Sequence, residues 1–170
     1  MKNLNIRRAQ PQDEFETIDI RYKSWLKAYS HIFAEEEIHK HFKSMLENPE
    51  YRKNNLENIK TNPYFYVYCL DNKAIAVLLL IVDTINKENN EIVCFYCSPD
   101  YQRNGIGKEL FDFAKDVFKK NNITNFKVEA LKDNYIGCNF YTKHGGKAIK
   151  TIKKHMCNKD VEMQIFNFNI

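Results

Sequence analysis

The sequence predicts a single α/β domain over residues 1–170, with strands and helices arranged around one sheet. The chain is 170 residues long, which is typical of one compact domain, and 44% of its residues are hydrophobic. Apolar runs of strand length occur in the same chain as stretches whose apolar residues recur at helical spacing. No linker, repeat or low-complexity segment divides the sequence. We therefore expect one continuous core.

The first part of the chain favours helices after one short strand. Residues 4–8 alternate between apolar and polar side chains like a strand, and Pro11 followed by acidic residues is typical of a helix start. Helical spacing then continues over residues 15–29. A second helical region begins near residue 35, and after an interruption at Asn48-Pro49 we expect it to continue to residue 60.

Strands dominate the rest of the chain. Residues 64–70 and 74–82 form a predicted hairpin around the turn at residues 71–73. The other predicted elements are a strand at 92–97, a helix at 107–120, a strand at 123–131, a helix at 135–144 and strands at 147–156 and 161–168, with a turn at 158–160. The order is therefore one strand, two helical regions, three strands, helix, strand, helix and two strands.

The segment that indicates function most directly is QRNGIGK at residues 102–108, between a predicted strand and a predicted helix. The first N–H groups of a helix have no intrahelical partners, and the helix dipole favours negative charge there. Gly105 and Gly107 allow the backbone to approach a ligand closely. The segment therefore predicts a binding site for a phosphate-bearing ligand.

Two common phosphate-binding motifs do not fit this spacing. A Walker loop has four residues between its first glycine and Gly-Lys-Ser/Thr, whereas only Ile106 separates the two glycines here, and Glu109 follows Lys108. The dinucleotide fingerprint requires a third glycine where Leu110 stands. A plain strand–turn–helix with a glycine cap and no ligand is the alternative interpretation.

The remaining pattern, Gln/Arg-x-x-Gly-x-Gly, resembles the pyrophosphate-binding turn of the GNAT superfamily of acetyl-CoA-dependent N-acetyltransferases. The order of elements from Leu4 to Phe168 is also that of this family. Asn134, Tyr141 and the residues at 143–145 resemble its N…FY-x-K-x-G segment, and residues 25–32 resemble its W-x-x-x-Y-x-x-I pattern. The resemblance implies a mixed, mostly antiparallel sheet of about seven strands, flanked by about four helices and splayed between strands 4 and 5.

Two positions depart from the family pattern. Cys97 stands where valine is usual, and because the cofactor contact there is made by a backbone N–H, we expect the change to be tolerated. Gly146 stands where phenylalanine usually follows Gly145, which removes an aromatic contact but leaves the helix stop intact.

The resemblance further implies transfer of an acetyl group from acetyl-CoA to a primary amine, by direct attack in a ternary complex. The pantetheine arm would lie between strands 4 and 5, where a backbone N–H would also stabilise the developing oxyanion. Backbone N–H groups from Arg103 to Lys108 would hold the pyrophosphate, with Arg103 and Lys108 adding charge. The implied cofactor-binding residues are Phe95, Tyr96, Cys97, Gln102, Arg103, Asn104, Gly105, Ile106, Gly107, Lys108, Asn134 and Tyr141.

Four residues are candidates for the chemistry itself. Tyr141 is the expected general acid, because a phenol with a pKa near about 10 suits protonation of a thiolate with a pKa of about 8.5; the alternative is a packing role only. Glu91 is the expected general base, acting through water, or else a solvated charge at a strand end. Trp25 and Tyr29 are candidate acceptor-binding residues, or alternatively core residues.

The expected acceptor is a small molecule, and the family patterns extend to members that act on polyamines. A protein N-terminus or lysine is the alternative acceptor, and a non-catalytic CoA-binding module is the alternative function. The long apolar strands are compatible with a homodimer formed through edge strands.

Composition excludes several other classes. The net charge of +4 is small and scattered, so we expect no nucleic-acid partner. No apolar stretch is long enough to span a bilayer and no secretory signal is evident, which predicts a cytoplasmic protein without membrane contact. The five cysteines are an odd number in mostly apolar segments, which indicates reduced thiols. Cys94 and Cys97 point to opposite faces of a strand, and the histidines lack metal-site spacing, so we expect no metal.

Overall fold

A computed structural model describes residues 5–170; Leu4, part of the first predicted strand, lies outside them. Seven strands form one sheet in the order β1-β2-β3-β4-β5-β7-β6. The strands are β1 (Ile6–Arg8), β2 (Phe65–Leu70), β3 (Lys73–Ile81), β4 (Glu91–Cys97), β5 (Asn125–Leu131), β6 (Lys147–Met156) and β7 (Lys159–Asn169). The helices are α1 (Glu14–Tyr29), α2 (Glu35–Glu47), α3 (Pro49–Thr61), α4 (Ile106–Lys120) and α5 (Tyr135–Lys143). All strand pairs are antiparallel except β4 with β5.

The second helical region consists of two helices, so the sheet is flanked by five helices rather than about four. Asn48 has an extended backbone, with φ of −85° and ψ of 109°, and its side-chain oxygen accepts hydrogen bonds from the N–H groups of Glu50 and Tyr51. Pro49 occupies the first position of α3. An asparagine cap followed by proline starts a new helix here instead of bending an old one.

Two hairpin turns use left-handed residues. Asp71 and Asn72 have φ of 48° and 66°, which is the geometry of a two-residue turn that suits twisted strands and confirms the first predicted hairpin. The second turn lies at Cys157 and Asn158, with φ of 48° and 55°. The sequence predicts this turn at 158–160 and the next strand from residue 161, whereas β7 begins two residues earlier, at Lys159.

The sheet buries both of its faces. On one face, α4 packs Leu110, Phe111 and Phe118 against Phe126 and Phe168. On the other face, helices α1, α2 and α3 cover two clusters of buried side chains from β2, β3, β4, β5 and β7. Within residues 5–170, no helix is long and apolar enough to cross a membrane.

Candidate active site

A gap opens in the sheet between β4 and β5. These strands run parallel and pair at two positions only, Glu91 with Lys127 and Ile92 with Val128. Beyond them, β4 remains paired with β3 as far as Cys97, and β5 remains paired with β7 along its whole length. The predicted splay between strands 4 and 5 is thus confirmed, and it leaves room for an extended ligand between the two strands.

The backbone of β4 presents hydrogen-bonding groups to this gap. The N–H of Ser98 donates to the carbonyl oxygen of Ile75 in β3 at 2.8 Å. Because successive residues of a strand point their backbone groups to opposite sides, Tyr96 faces β3, whereas Phe95 and Cys97 face the gap. Phe95 and Cys97 are therefore the β4 residues whose backbone can pair with a ligand there. The backbone of Tyr96, also predicted to contact the cofactor, is directed toward β3 instead.

The carbonyl oxygen of Cys97 has protein partners. It accepts hydrogen bonds from Gln102 Nε2 at 3.0 Å and from Ser24 Oγ in α1 at 3.1 Å. Gln102 therefore ties the glycine turn to the end of β4, which fixes the turn relative to the gap.

The glycine turn ends in an uncapped helix. Gly105 has φ of 81° and precedes α4, and no side chain caps that terminus. A Cβ atom placed on Gly105 would have no heavy atom within 4 Å, so the space above the turn is open. The N–H groups of Ile106, Gly107 and Lys108 belong to the first turn of α4, where a helix offers donors to an anion. The turn has the geometry of a phosphate site.

The cationic side chains near the turn differ in whether they already form an ion pair within the protein. Lys108 Nζ lies 2.5 Å from Asp112 Oδ2, and Lys115 contacts the other oxygen of the same carboxylate at 2.7 Å. Arg103 is exposed, has φ of 65°, and forms no ion pair with any residue from 5 to 170. Asn104 donates to the carbonyl oxygen of Tyr101. Arg103 is therefore the turn's most available cation.

Tyr141 lies on α5 beside the gap. Its side chain is 8% exposed, and its ring packs against Phe95, Phe111 and Phe166, with centroid separations of 6.3, 6.2 and 5.6 Å. Burial raises the pKa of Tyr141 far above its ordinary value, and the nearby Tyr96 adds to this effect. The phenol thus keeps its proton at neutral pH, but its raised pKa is further from that of a thiolate than the ordinary value of about 10 on which its expected role as the acid rests.

Trp25 and Tyr29 are each only 7% exposed, and their ring centroids lie 5.1 Å apart. Trp25 Nε1 donates to the hydroxyl of Tyr96 at 3.2 Å. Burial, followed by the proximity of Tyr96 and Tyr141, raises the pKa of Tyr29 well above its ordinary value, whereas a hydrogen bond with Asn134 lowers it. Tyr29 therefore lies near the predicted acid, whereas Trp25 contacts Tyr96, and both side chains are part of the core.

Asn134 has a structural role that the sequence did not indicate. It is the N-cap of α5, and its side-chain oxygen accepts a hydrogen bond from the N–H of Gly137 at 3.1 Å. A Cβ on Gly137 would lie 2.5 Å from Asn134 Nδ2, so Gly137 makes room for the cap. Asn134 thereby fixes the start of the helix that carries Tyr141.

Glu91 lies at the closed end of the gap. Its carboxylate contacts Lys127 Nζ at 3.2 Å, and its side chain is 17% exposed. Phe95 is four residues further along β4, which corresponds to about 13 Å of strand. Glu91 is therefore not in direct contact with the part of the site around Tyr141, and a proton path between them would require water.

The sequence does not identify Glu129 as a residue beside the gap. Glu129 lies on β5, just beyond the last residue pair that joins β5 to β4. Its side chain is 18% exposed and forms an ion pair with Lys154 of β6. The alternation in β5 does mark Glu129 as a polar position between the buried Val128 and Ala130. Its place beside the gap depends on which strand neighbours β5, and this was not evident from local sequence.

The thiols of Cys94 and Cys97 are expected to resist alkylation. Burial raises the pKa of each to about 11, so roughly one part in a thousand is thiolate at a pH of about 8. In folded protein treated with iodoacetamide, mass spectrometry should show Cys138 and Cys157 modified before these two. Rapid modification of Cys94 or Cys97 without denaturant would contradict this prediction.

Known proteins resemble this chain in both sequence and fold. Residues 16–146, well over half of the chain, match the model of the Acetyltransferase (GNAT) family. The chain belongs to the GNAT family of acetyltransferases. This confirms the family that the glycine turn and the order of elements predicted.

Three relatives show how far the likeness extends. A spermidine N(1)-acetyltransferase of Thermoplasma acidophilum is 26% identical over 152 residues, covering 88% of this chain and 91% of the relative. The crystal structure of the PaiA N-acetyltransferase of the same organism, in complex with coenzyme A, is 24% identical, with a TM-score of 0.78 over 97% of this chain and 98% of that one. A ribosomal-protein-alanine N-acetyltransferase from Brucella melitensis is 15% identical, with a TM-score of 0.74 over 98% of this chain and all of that one. N-acetyltransferases named for different acceptors thus resemble this chain, so the fold does not determine the acceptor.

Proposed function

We propose that this GNAT protein transfers the acetyl group of acetyl-CoA to the primary amine of a small molecule. The observation that carries the proposal is the continuity of the uncapped α4 N-terminus with the gap-facing backbone of Phe95 and Cys97. These features suit a ligand with a phosphate end and an extended arm. The name of the spermidine acetyltransferase supports an amine acceptor and makes polyamines one class to test.

Each part of the site has a chemical task in this proposal. Acetyl-CoA supplies a thioester whose carbonyl carbon accepts the lone pair of the amine, so a C–N bond forms as the C–S bond breaks. The N–H of Cys97 faces the gap and donates to the thioester oxygen as negative charge develops there. Tyr141 gives its hydroxyl proton to the leaving thiolate. The proton that the amine loses then reaches Tyr141 through water and restores its hydroxyl group. Glu91 accepts that proton in transit, through a chain of water molecules.

Titration calorimetry followed by a thiol-release assay tests this function. We expect saturable binding of acetyl-CoA and release of free thiol when a primary amine is added. Binding without release from any amine would favour the non-catalytic CoA-binding module. The absence of acetyl-CoA binding would refute the proposal.

The value of kcat/KM should rise with pH and show no decline at high pH. An alkylamine is reactive when neutral, and its pKa is about 10. Tyr141 acts while protonated, and because burial raises its pKa above the ordinary value, it remains protonated across this range. We therefore expect kcat/KM to rise steadily from a pH of about 6.5 to about 10. A decline within that range, in parallel with tyrosinate absorbance, would show that Tyr141 titrates normally and would contradict this prediction.

A further inference from the structure

A cavity of about 310 Å³ lies on the sheet face that α1 and α3 cover. The residues at positions 51, 54, 55 and 58 of α3 share one helical face, since they are spaced as i, i+3, i+4 and i+7. Three of the four are asparagines, and all four line the cavity although Asn54 is exposed, so the wall that α3 contributes is polar and reaches the surface. The polar side chains lining the cavity are Arg21, Tyr51, Asn54, Asn55, Asn58 and Tyr96.

Among the described residues that line this cavity, Arg21 carries the only formal charge. Its Nη1 donates to the hydroxyl of Tyr51 at 3.0 Å. Arg7 and Arg52 each pair with a carboxylate, but Arg21 forms no ion pair with any residue from 5 to 170. A guanidinium has five N–H donors in a planar fork, so most of those on Arg21 remain available to a ligand.

Asn55 adds a second unsatisfied donor. Its side-chain Nδ2 is buried and has no hydrogen-bond partner among the described residues. Buried polar groups are normally paired, and one that lines a cavity is satisfied when a ligand brings an acceptor. A planar group with two acceptor oxygens and a negative charge matches both Arg21 and Asn55.

The cavity adjoins the candidate active site through β4. Cys94 and Tyr96 line it, and they flank Phe95, whose backbone faces the gap. Tyr96 also accepts the hydrogen bond from Trp25. A molecule seated in the cavity therefore lies against the strand on which acetyl transfer is proposed to occur.

We infer that the Arg21 cavity binds the carboxylate of an acceptor that carries a primary amine at its other end. This inference rests on the proposed function and narrows its acceptor class to amino acids in the broad chemical sense. A polyamine carries a second ammonium in place of the carboxylate. Because no Asp or Glu between residues 5 and 170 lines the cavity, that ammonium would meet the guanidinium of Arg21, which has no carboxylate partner there.

Acceptors of equal length that differ in the group opposite the reacting amine test this inference directly. One set is γ-aminobutyrate, putrescine and n-butylamine, and a longer set is δ-aminovalerate, cadaverine and n-pentylamine. With acetyl-CoA present and thiol release as the readout, we expect kcat/KM to be highest for the carboxylate, intermediate for the monoamine and lowest for the diamine. The carboxylate should exceed the monoamine by about 10- to 100-fold, as a charge-assisted hydrogen bond allows.

Two substitutions address the cavity itself. Arg21→Gln should remove the carboxylate preference, lowering kcat/KM for the carboxylate about 10- to 100-fold while leaving the monoamine within about threefold. Asn55→Asp places a negative charge in the cavity and should shift the preference toward the diamine. Lys27→Gln, which removes an exposed cation from the same helix as Arg21, is the control and should change none of these ratios. Thermal melts of all variants report whether folding is preserved.

The outcomes separate this inference from the proposed function. If the diamine is the best acceptor and Arg21→Gln leaves every ratio unchanged, the inference is overturned while acetyl transfer stands. If acetyl-CoA binds but even the monoamines release no thiol, the proposed function itself fails. Should Arg21→Gln prove unstable, the shift produced by Asn55→Asp decides the question.

Discussion

Tyr141→Phe is expected to lower kcat by about 100-fold or more, within the range that general acid catalysis contributes. KM for acetyl-CoA should change little, because the phenyl ring keeps the packing against Phe95, Phe111 and Phe166. Thermal stability should change little, since no hydrogen bond joins the Tyr141 hydroxyl to another residue from 5 to 170, so its removal breaks none. Steady-state kinetics and a thermal melt measure the two effects.

Tyr64→Phe is the matched control for this substitution. The hydroxyl of Tyr64 donates to Asn121 Oδ1 at 2.9 Å, away from the gap. Its loss should cost about 1 kcal/mol of stability without affecting kcat. Tyr141→Phe is thus expected to lower kcat without loss of stability, and Tyr64→Phe to lower stability without loss of kcat. A Tyr141→Phe protein that retains kcat within about threefold of wild type would show that Tyr141 only packs.

Gly146→Ala is expected to produce the largest loss of stability of any single methyl group added near the site. A Cβ at this position would lie 2.6 Å from Phe168 Cζ and 2.9 Å from the carbonyl oxygen of Tyr141. The carbonyl belongs to the backbone of α5 and cannot move away without displacing that helix. We expect a destabilisation of about 1–3 kcal/mol, together with reduced kcat because Tyr141 shifts.

Gly145→Ala separates steric overlap from backbone strain. Gly145 has φ of 95°, but a Cβ there would have no heavy atom within 4 Å. This variant should therefore cost only the strain of the left-handed backbone, about 1–2 kcal/mol, with kcat retained. Urea unfolding of both proteins, with activity measured on the same samples, tests the distinction. Equal activities would contradict the proposed displacement of Tyr141.

The sequence alone predicts those elements whose structure depends on the local pattern of residues. The strand that ends at Cys97, the glycine turn and helix α4 follow one another within about 30 residues, so periodicity and glycine placement predict them together. The shared face of Phe126, Val128 and Ala130 follows from alternation along the predicted strand at 123–131, and all three are buried in the same cluster.

Sequence was insufficient where the arrangement depends on contacts between distant segments. The polar face of α3 was not recognised as the wall of a cavity, because an isolated helix gives no reason to turn asparagines toward a sheet. The pair of Glu129 with Lys154 requires β7 to lie between β5 and β6. The sequence predicts a lost aromatic contact at Gly146, whereas the ring of Phe168 from β7 occupies the adjacent space.

The two outer strands of the sheet bear on how the protein behaves at high concentration. β1 has three residues, and β6 is exposed along most of its length and carries four lysines among its ten residues. A very short edge and a lysine-rich edge are both poor templates for another strand, because the first offers few backbone hydrogen bonds and the second brings like charges together. We therefore expect the chain to resist aggregation by strand addition. A homodimer of this chain would then pack helices or loops rather than extend the sheet.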